Sequence, residues 1–188
     1  MARRKDHTRE QLKEMSLKAA KRLIIEKGHK DFSVRAVAKE IGYSVGTMYQ
    51  VFKNIDDLIV HVNSETLDEM QAYLTERLSR SVNPSLDMAV GYFEFAHAND
   101  NLWLTVFEHK YSGKFKLPEW YKEKLQAMFL FAEKVFSSKN DELRDSRKKT
   151  ISIWASIHGV TILSVNGKLE IVNSIPARVL IRTIINQY

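Results

Sequence analysis

The chain has 188 residues, 44% of them apolar, with no cysteine and six positive charges in excess at neutral pH. The length admits one small domain joined to a larger one, or a single continuous core, and the missing cysteines exclude disulfides and thiol redox chemistry. No run approaches the ~18 consecutive apolar residues of a membrane span and the N-terminus has no apolar signal core, so no membrane partner and a cytoplasmic location are expected.

The charge is unevenly placed. Residues 1–53 carry a balance of +7, whereas residues 54–188 carry −1. A polyanionic partner is therefore expected for the N-terminal part alone. Glycine and proline are few and no alternating apolar run stands out, which makes an all-α fold of about nine helices the expectation. Two domains are expected: 1–53, and 54–188, connected by a long fourth helix at about 54–78.

In chain order, Arg3, Arg4 and Lys5 form either a minor-groove arm or a solvated basic tail. Thr8 and Gln11 fit a capping box that opens a first helix running to about Lys27, with Leu12, Ala19, Ala20, Leu23 and Ile24 facing inward. Ser33 caps a second helix whose stripe is Val34, Val37, Ala38 and Ile41. Gly42 follows at once and supplies the left-handed position a tight reversal needs. Ser44 caps a third short helix, 45–52, locked by Phe52. A helix, a glycine-containing turn and a second short helix make the helix-turn-helix pattern, whose second helix enters the DNA major groove. Two ordinary helices of a bundle are the bland alternative, but short, capped helices within the segment that carries the whole positive surplus favour DNA.

Asn54 and Asp57 are the next expected capping pair, opening a rod of about 25 residues through Leu58, Ile59, Val62, Leu67, Met70, Leu74 and Leu78. Pro84 opens a fifth helix to about Asn99, with Leu86, Ala89, Val90, Phe93 and His97 on its apolar face. A sixth spans 102–111, and a seventh begins at Pro118 and carries Trp120, Tyr121, Leu125, Met128, Phe129, Ala132 and Phe136. A polar linker at 137–140 precedes an eighth helix, 141–166, with Ile151, Trp154, Ala155, His158 and Ile162 on one face. Beside that face Ser152, Ala155, Ser156 and Gly159 form a strip of small residues. Ser174 is expected to cap the last helix, with Pro176 in its first turn.

The candidate DNA-contacting residues are Val45 and Thr47 for base edges, with Gly46 letting the backbone approach. Ser33, Val34, Tyr43, Ser44, Tyr49 and Lys53 are placed for phosphates or their support, and Arg35 could serve either role. Aromatic and ionisable residues of the larger part, namely Phe93, His97, Trp103, Phe107, Tyr111, Trp120, Phe129, Trp154 and His158, line a cavity or fill the core; for any single one, core is the better reading. His97, His109 and His158 lack metal-ligand spacing, and no catalytic motif occurs, so neither a metal, a cofactor nor an enzyme activity is expected.

Residues 19–58 resemble the DNA-binding domain of TetR-family transcriptional regulators. The likeness rests on Ala19-Ala20, Gly28, Ser33-Val34, Ala38, Ile41-Gly42, the run Ser44-Val45-Gly46-Thr47-Met48-Tyr49, Phe52 and Asp56-Asp57-Leu58. One position departs from it: Ile55 stands where the family often has a phosphate-contacting lysine, so either Lys53, two residues earlier, serves instead or that contact is missing. Trp154, His158 and Gly159 resemble a shorter pattern of the family's C-terminal domains. The resemblance implies a homodimer paired through the last two helices (about 141–166 and 175–188), a small apolar or amphipathic effector, and repression at a near-palindromic operator on double-stranded DNA. The alternative is an effector-independent DNA-binding protein acting through protein partners, as a nucleoid or division factor does.

Overall fold

A computed structural model describes residues 7–28, 32–137, 143–172 and 174–188. Its described residues form ten helices and no strand: α1 (Arg9–Lys27), α2 (Val34–Glu40), α3 (Val45–Met48), α4 (Ile55–Ser79), α5 (Pro84–Ala98), α6 (Asp100–Glu108), α7 (Glu119–Phe136), α8 (Leu143–Val165), α9 (Leu169–Val172) and α10 (Ala177–Ile185). The expected arm at Arg3, Arg4 and Lys5 and most of the 137–140 linker lie outside the described residues.

Local signals account for the first helices. Thr8 accepts from Gln11 N and the Gln11 side chain accepts from Thr8 N, so the capping box is complete. Ser33 accepts from Ala36 N, and Ser44 accepts from Thr47 N. Gly28 and Gly42 both have positive φ, +73° and +75°. Asn54 accepts from Asp57 N as expected, but the Asp57 carboxylate reaches back to Lys53 N, one residue before the cap. The chain packs as two units: Met1–Thr66 with Asn99–Tyr121, and Leu67–Ala98 with Lys122–Tyr188. Long-range packing thus divides the chain elsewhere than the charge-based boundary at residue 53, because α6 and the segment after it pack in the first unit.

The first unit's core joins Ala19, Ala20, Leu23 and Ile24 of α1 to Val34, Val37 and Ala38 of α2, Met48, Phe52, and Leu58, Ile59 and Val62 of α4. Leu102 of α6 completes it. Asn101 Nδ2 donates to Ile25 O at 2.9 Å, satisfying a carbonyl that the last turn of α1 leaves without a helical partner. His61 on α4 stacks on Trp120 with centroids 5.1 Å apart and meets Phe52 edge-on at 5.9 Å. In the second unit Gly91 lets α4 and α5 close on each other: a Cβ there would come within 2.8 Å of Arg77 Cδ and 2.9 Å of Leu74 Cδ2. The Arg77 guanidinium pairs with Glu94 at 2.6 Å, and Arg178 of α10 pairs with the same carboxylate at 2.7 Å.

Several expected elements differ. The third helix is four residues long rather than eight; hydrogen bonds from Gln50 N, Val51 N and Phe52 N continue it as turns. α6 begins at Asp100 and ends at Glu108, two residues earlier than expected at its start and three at its end. α9 was not expected, and α10 begins after Pro176, which takes the N-cap position in place of Ser174. α5 buries Met88, Ala89, Gly91, Tyr92, Phe95 and Ala96, so His97 is exposed and Phe93 only half-buried. α8 buries Ile153 and Ile157 and leaves Ile151 and Ala155 open. Both helices are apolar on more than one side, so periodicity does not select the inward face.

Two outcomes follow for the first unit. Gly42→Ala puts a Cβ on a left-handed residue and should lower stability by ~1–2 kcal/mol in urea unfolding. Burial, then the nearby Lys13 charge, lowers the His61 pKa below its ordinary 6.5. The unfolded chain therefore takes up the proton first as pH falls. The stability tied to neutral His61 should be intact above about pH 6.5 and be lost as pH drops toward the lowered folded value. His61→Phe should flatten that part of the urea-midpoint profile between pH 7.5 and 5.

Candidate nucleic-acid interface

The α2–turn–α3 segment presents an outer face built by its caps. Ser44 Oγ accepts from Thr47 N at 3.1 Å and lies 2.9 Å from Thr47 Oγ1, so the two hydroxyls hold each other at the start of α3. Met48, fully buried, anchors the opposite side of α3, where the Ser16 hydroxyl contacts its sulfur at 3.4 Å. With Met48 and Phe52 inward, Gly46, Tyr49 and Gln50 are exposed, and Val45 and Thr47 half-buried.

Of the other candidates, Arg35, Ser44 and Lys53 are exposed and Ser33 is half-buried. The Tyr43 hydroxyl lies 2.6 Å from His7 Nδ1, so this phenol is oriented by the residue just ahead of the α1 cap. Val34 is the exception: at 7% exposure it belongs to the core, because the residue after an N-cap serine that starts an inward stripe is itself part of the stripe. Gln50 and Lys39 share the exposure of the candidates and were missed. Gln50 stands three residues after Thr47, a spacing that keeps a helical face aligned, and its amide can both donate and accept.

The aromatic candidates divide between the two units. Trp103, Phe107, Tyr111 and Trp120 belong to the first. There Trp103 is buried against Phe107, their rings 4.9 Å apart, while Trp120 is held by the stack on His61. Asn63, fully buried, donates to Tyr111 Oη at 3.1 Å and to Thr105 O at 3.4 Å, and its own Oδ1 has no hydrogen-bond partner among the described residues. Burial raises the pKa of both Tyr111 and Tyr121.

Phe129, Trp154 and His158 meet in the second unit. Trp154 lies 5.4 Å from Phe129 and 5.1 Å from His158, whose Nδ1 is 2.8 Å from the Tyr92 hydroxyl. Tyr92, not singled out from the sequence, is thus the polar partner of this cluster. Phe93 and His97 pack on each other at 4.5 Å, with His97 Nε2 3.1 Å from Ser164 Oγ. Among the described residues no helix is long and apolar enough to cross a membrane.

Residues 17–62 match the family model described as bacterial regulatory proteins, tetR family. No curated protein matches the chain. Several solved structures are similar over nearly the whole length. A protein of unknown function from Rhodococcus sp. RHA1 is 16% identical with a TM-score of 0.76, over 99% of this chain and 96% of that one. The transcriptional regulator FadR from Bacillus subtilis, in complex with stearoyl-CoA, is 17% identical with a TM-score of 0.65, over 92% and 95%. RolR in complex with resorcinol is 13% identical with a TM-score of 0.67, over 95% and 88%. Likeness at such identities shows a shared fold. The matched stretch runs from the second half of α1 through both capped helices into α4, so it is this N-terminal domain that the chain shares with the tetR family of bacterial regulatory proteins.

Proposed function

We propose that the chain is a homodimeric repressor that binds a near-palindromic operator and leaves it when a small apolar or amphipathic effector binds. The observation that carries the reading is the outer face of the capped α2–α3 pair. Its exposed Arg35, Ser44, Gly46, Tyr49, Gln50 and Lys53 lie in the segment that bears the positive surplus. Val45 and Thr47 read base edges; the others hold phosphates and set the register. The functional division stays at residue 53, with the DNA-reading head before it.

Pairing of two copies is supported by what α8 and α10 leave open. Ile151 is 44% exposed, Leu163 40% and Val179 51%, and Ala155 and Ser156 are exposed between them. A Cβ on Gly159 would meet nothing within 4 Å among the described residues, and Ser152, Ala155 and Ser156 beside it are exposed, so the small-residue strip suits close approach by a second copy. A two-fold pair presents its reading helices about 34–36 Å apart, one turn of B-DNA.

The Tyr92–Phe129–Trp154–His158 cluster is our candidate effector contact. It joins an apolar wall to a hydroxyl and an imidazole, the composition of small-molecule sites. α4 gives residues 55–66 to the first unit and 67–79 to the second, so a ligand that shifts its second half acts on the helix that carries the reading head. A coupling of ~1–3 kcal/mol between effector and operator is the usual scale.

Thr47→Ala should cost ~1–3 kcal/mol at the preferred site and alter base preference at one position per half-site, seen by selection from a random duplex pool. Lys53→Ala should weaken all duplexes alike and make the salt dependence shallower. Binding by neither the parent chain nor the variants at low salt overturns the reading. Ala155→Glu should convert dimer to monomer in sedimentation velocity while helix content stays unchanged; a persistent dimer would place the interface elsewhere.

A further inference from the structure

The loop between α6 and α7, residues 109–118, contains Lys110, Lys114 and Lys116 and no carboxylate. All three lysines are exposed, and none makes an ion pair among the described residues. Such a basic loop could be merely solvated, but this one is fastened. Asp56, 4% exposed in the first turn of α4, accepts from Ser112 N at 3.2 Å and has His109 Nε2 2.9 Å from its other oxygen. Phe115 N donates to Ser112 O at 2.9 Å, and the Tyr111 and Phe115 rings stack at 5.6 Å and 19°.

These contacts pin the loop to one end of one helix. That end begins two residues after Lys53, the last residue of the reading head, and Ile55 leaves it no cation of its own. The two acids there are already engaged: Asp56 holds the loop, and Asp57 accepts from Lys53 N at 2.8 Å. We infer that the α6–α7 loop is a second phosphate-binding element, in which Lys110, Lys114 and Lys116 grip the duplex backbone beside the helix-turn-helix. Lysine–phosphate contacts carry no base information, so the loop adds affinity and salt dependence and leaves sequence preference to α3.

This inference rests on the DNA-binding reading, and its test separates the two. The probe is a fluorescein-labelled 40-bp duplex selected by the full-length chain from a random pool. Anisotropy titrations from 50 to 300 mM KCl compare the parent chain with two variants. One is Lys110→Gln/Lys114→Gln/Lys116→Gln; the other places Arg at the same three positions. For the Gln variant the slope of log affinity on log salt should fall in magnitude by roughly 1–3 for each protomer bound. Its affinity should drop about tenfold or more at the lowest salt and approach the parent's at the highest. The Arg variant should keep the parent slope, and both variants should select the parent's sequence. A Gln variant with parental affinity and slope, while the parent binds, overturns the inference and leaves the DNA-binding reading standing. Lost affinity at unchanged slope also overturns it, since that signals a changed fold rather than lost phosphate contacts. A parent chain that selects no duplex removes the DNA-binding reading and this inference together.

Discussion

The reading head depends on a length constraint. α2 has seven residues and α3 four. Isolated helices shorter than ~12–15 residues are marginal in water, because the first turn costs more conformational entropy than its hydrogen bonds return. These two persist because each is capped at its start by a serine and because one face of each is buried. Val34, Val37, Ala38 and Met48 pack under α1 and the first turns of α4, where Leu58, Ile59 and Val62 are at most 1% exposed. Burying an aliphatic side chain of that size contributes ~1.5–3 kcal/mol. The outer face, which we propose meets DNA, is the remainder: what lies opposite Met48 and Phe52 is outward by exclusion.

The same burial explains why the first packing unit is larger than the head. α4 continues past Val62 with Asn63 and Thr66, polar and yet 0% and 2% exposed. Such groups are tolerated when hydrogen-bonded. Thr66 donates to Val62 O within α4, whereas Asn63 finds its partners in the Thr105 carbonyl of α6 and the Tyr111 hydroxyl after it, and Asn101 closes the end of α1. The Asp56–His109–Ser112 contact fastens the loop in the same manner. The head is therefore seated on polar contacts from a distant part of the chain, and rearrangement of α6 or its loop reaches α4 at its first turn and at Asn63.

Electrostatics and packing divide the labour of binding. In the proposed DNA-binding reading, the positive surplus of the first 53 residues attracts a polyanion without regard to sequence, and discrimination falls to the few side chains around Thr47. The Ser44–Thr47 hydroxyl pair limits rotation at that point, which pre-orders the methyl and hydroxyl of Thr47 before any base is met.

The sequence alone determined the features that act over three or four residues. Thr8–Gln11, Ser33 and Ser44 cap where expected, Gly28 and Gly42 turn the chain at positive φ, and the stripes of α1 and α2 point inward as read. A cap or a left-handed glycine is a local contact, and a helix with one apolar stripe has one face to bury. Tertiary structure decided the rest. α5 and α8 carry apolar residues on several sides, and only their neighbours chose Tyr92 and Ile157 over His97 and Ala155. Val34 looked like part of the interface and is core. The aromatic candidates, one class in the sequence, separate into two packing units. Buried Asn63 and the clasp at Asp56 join residues 42 to 56 positions apart, a pairing that no short-range pattern encodes.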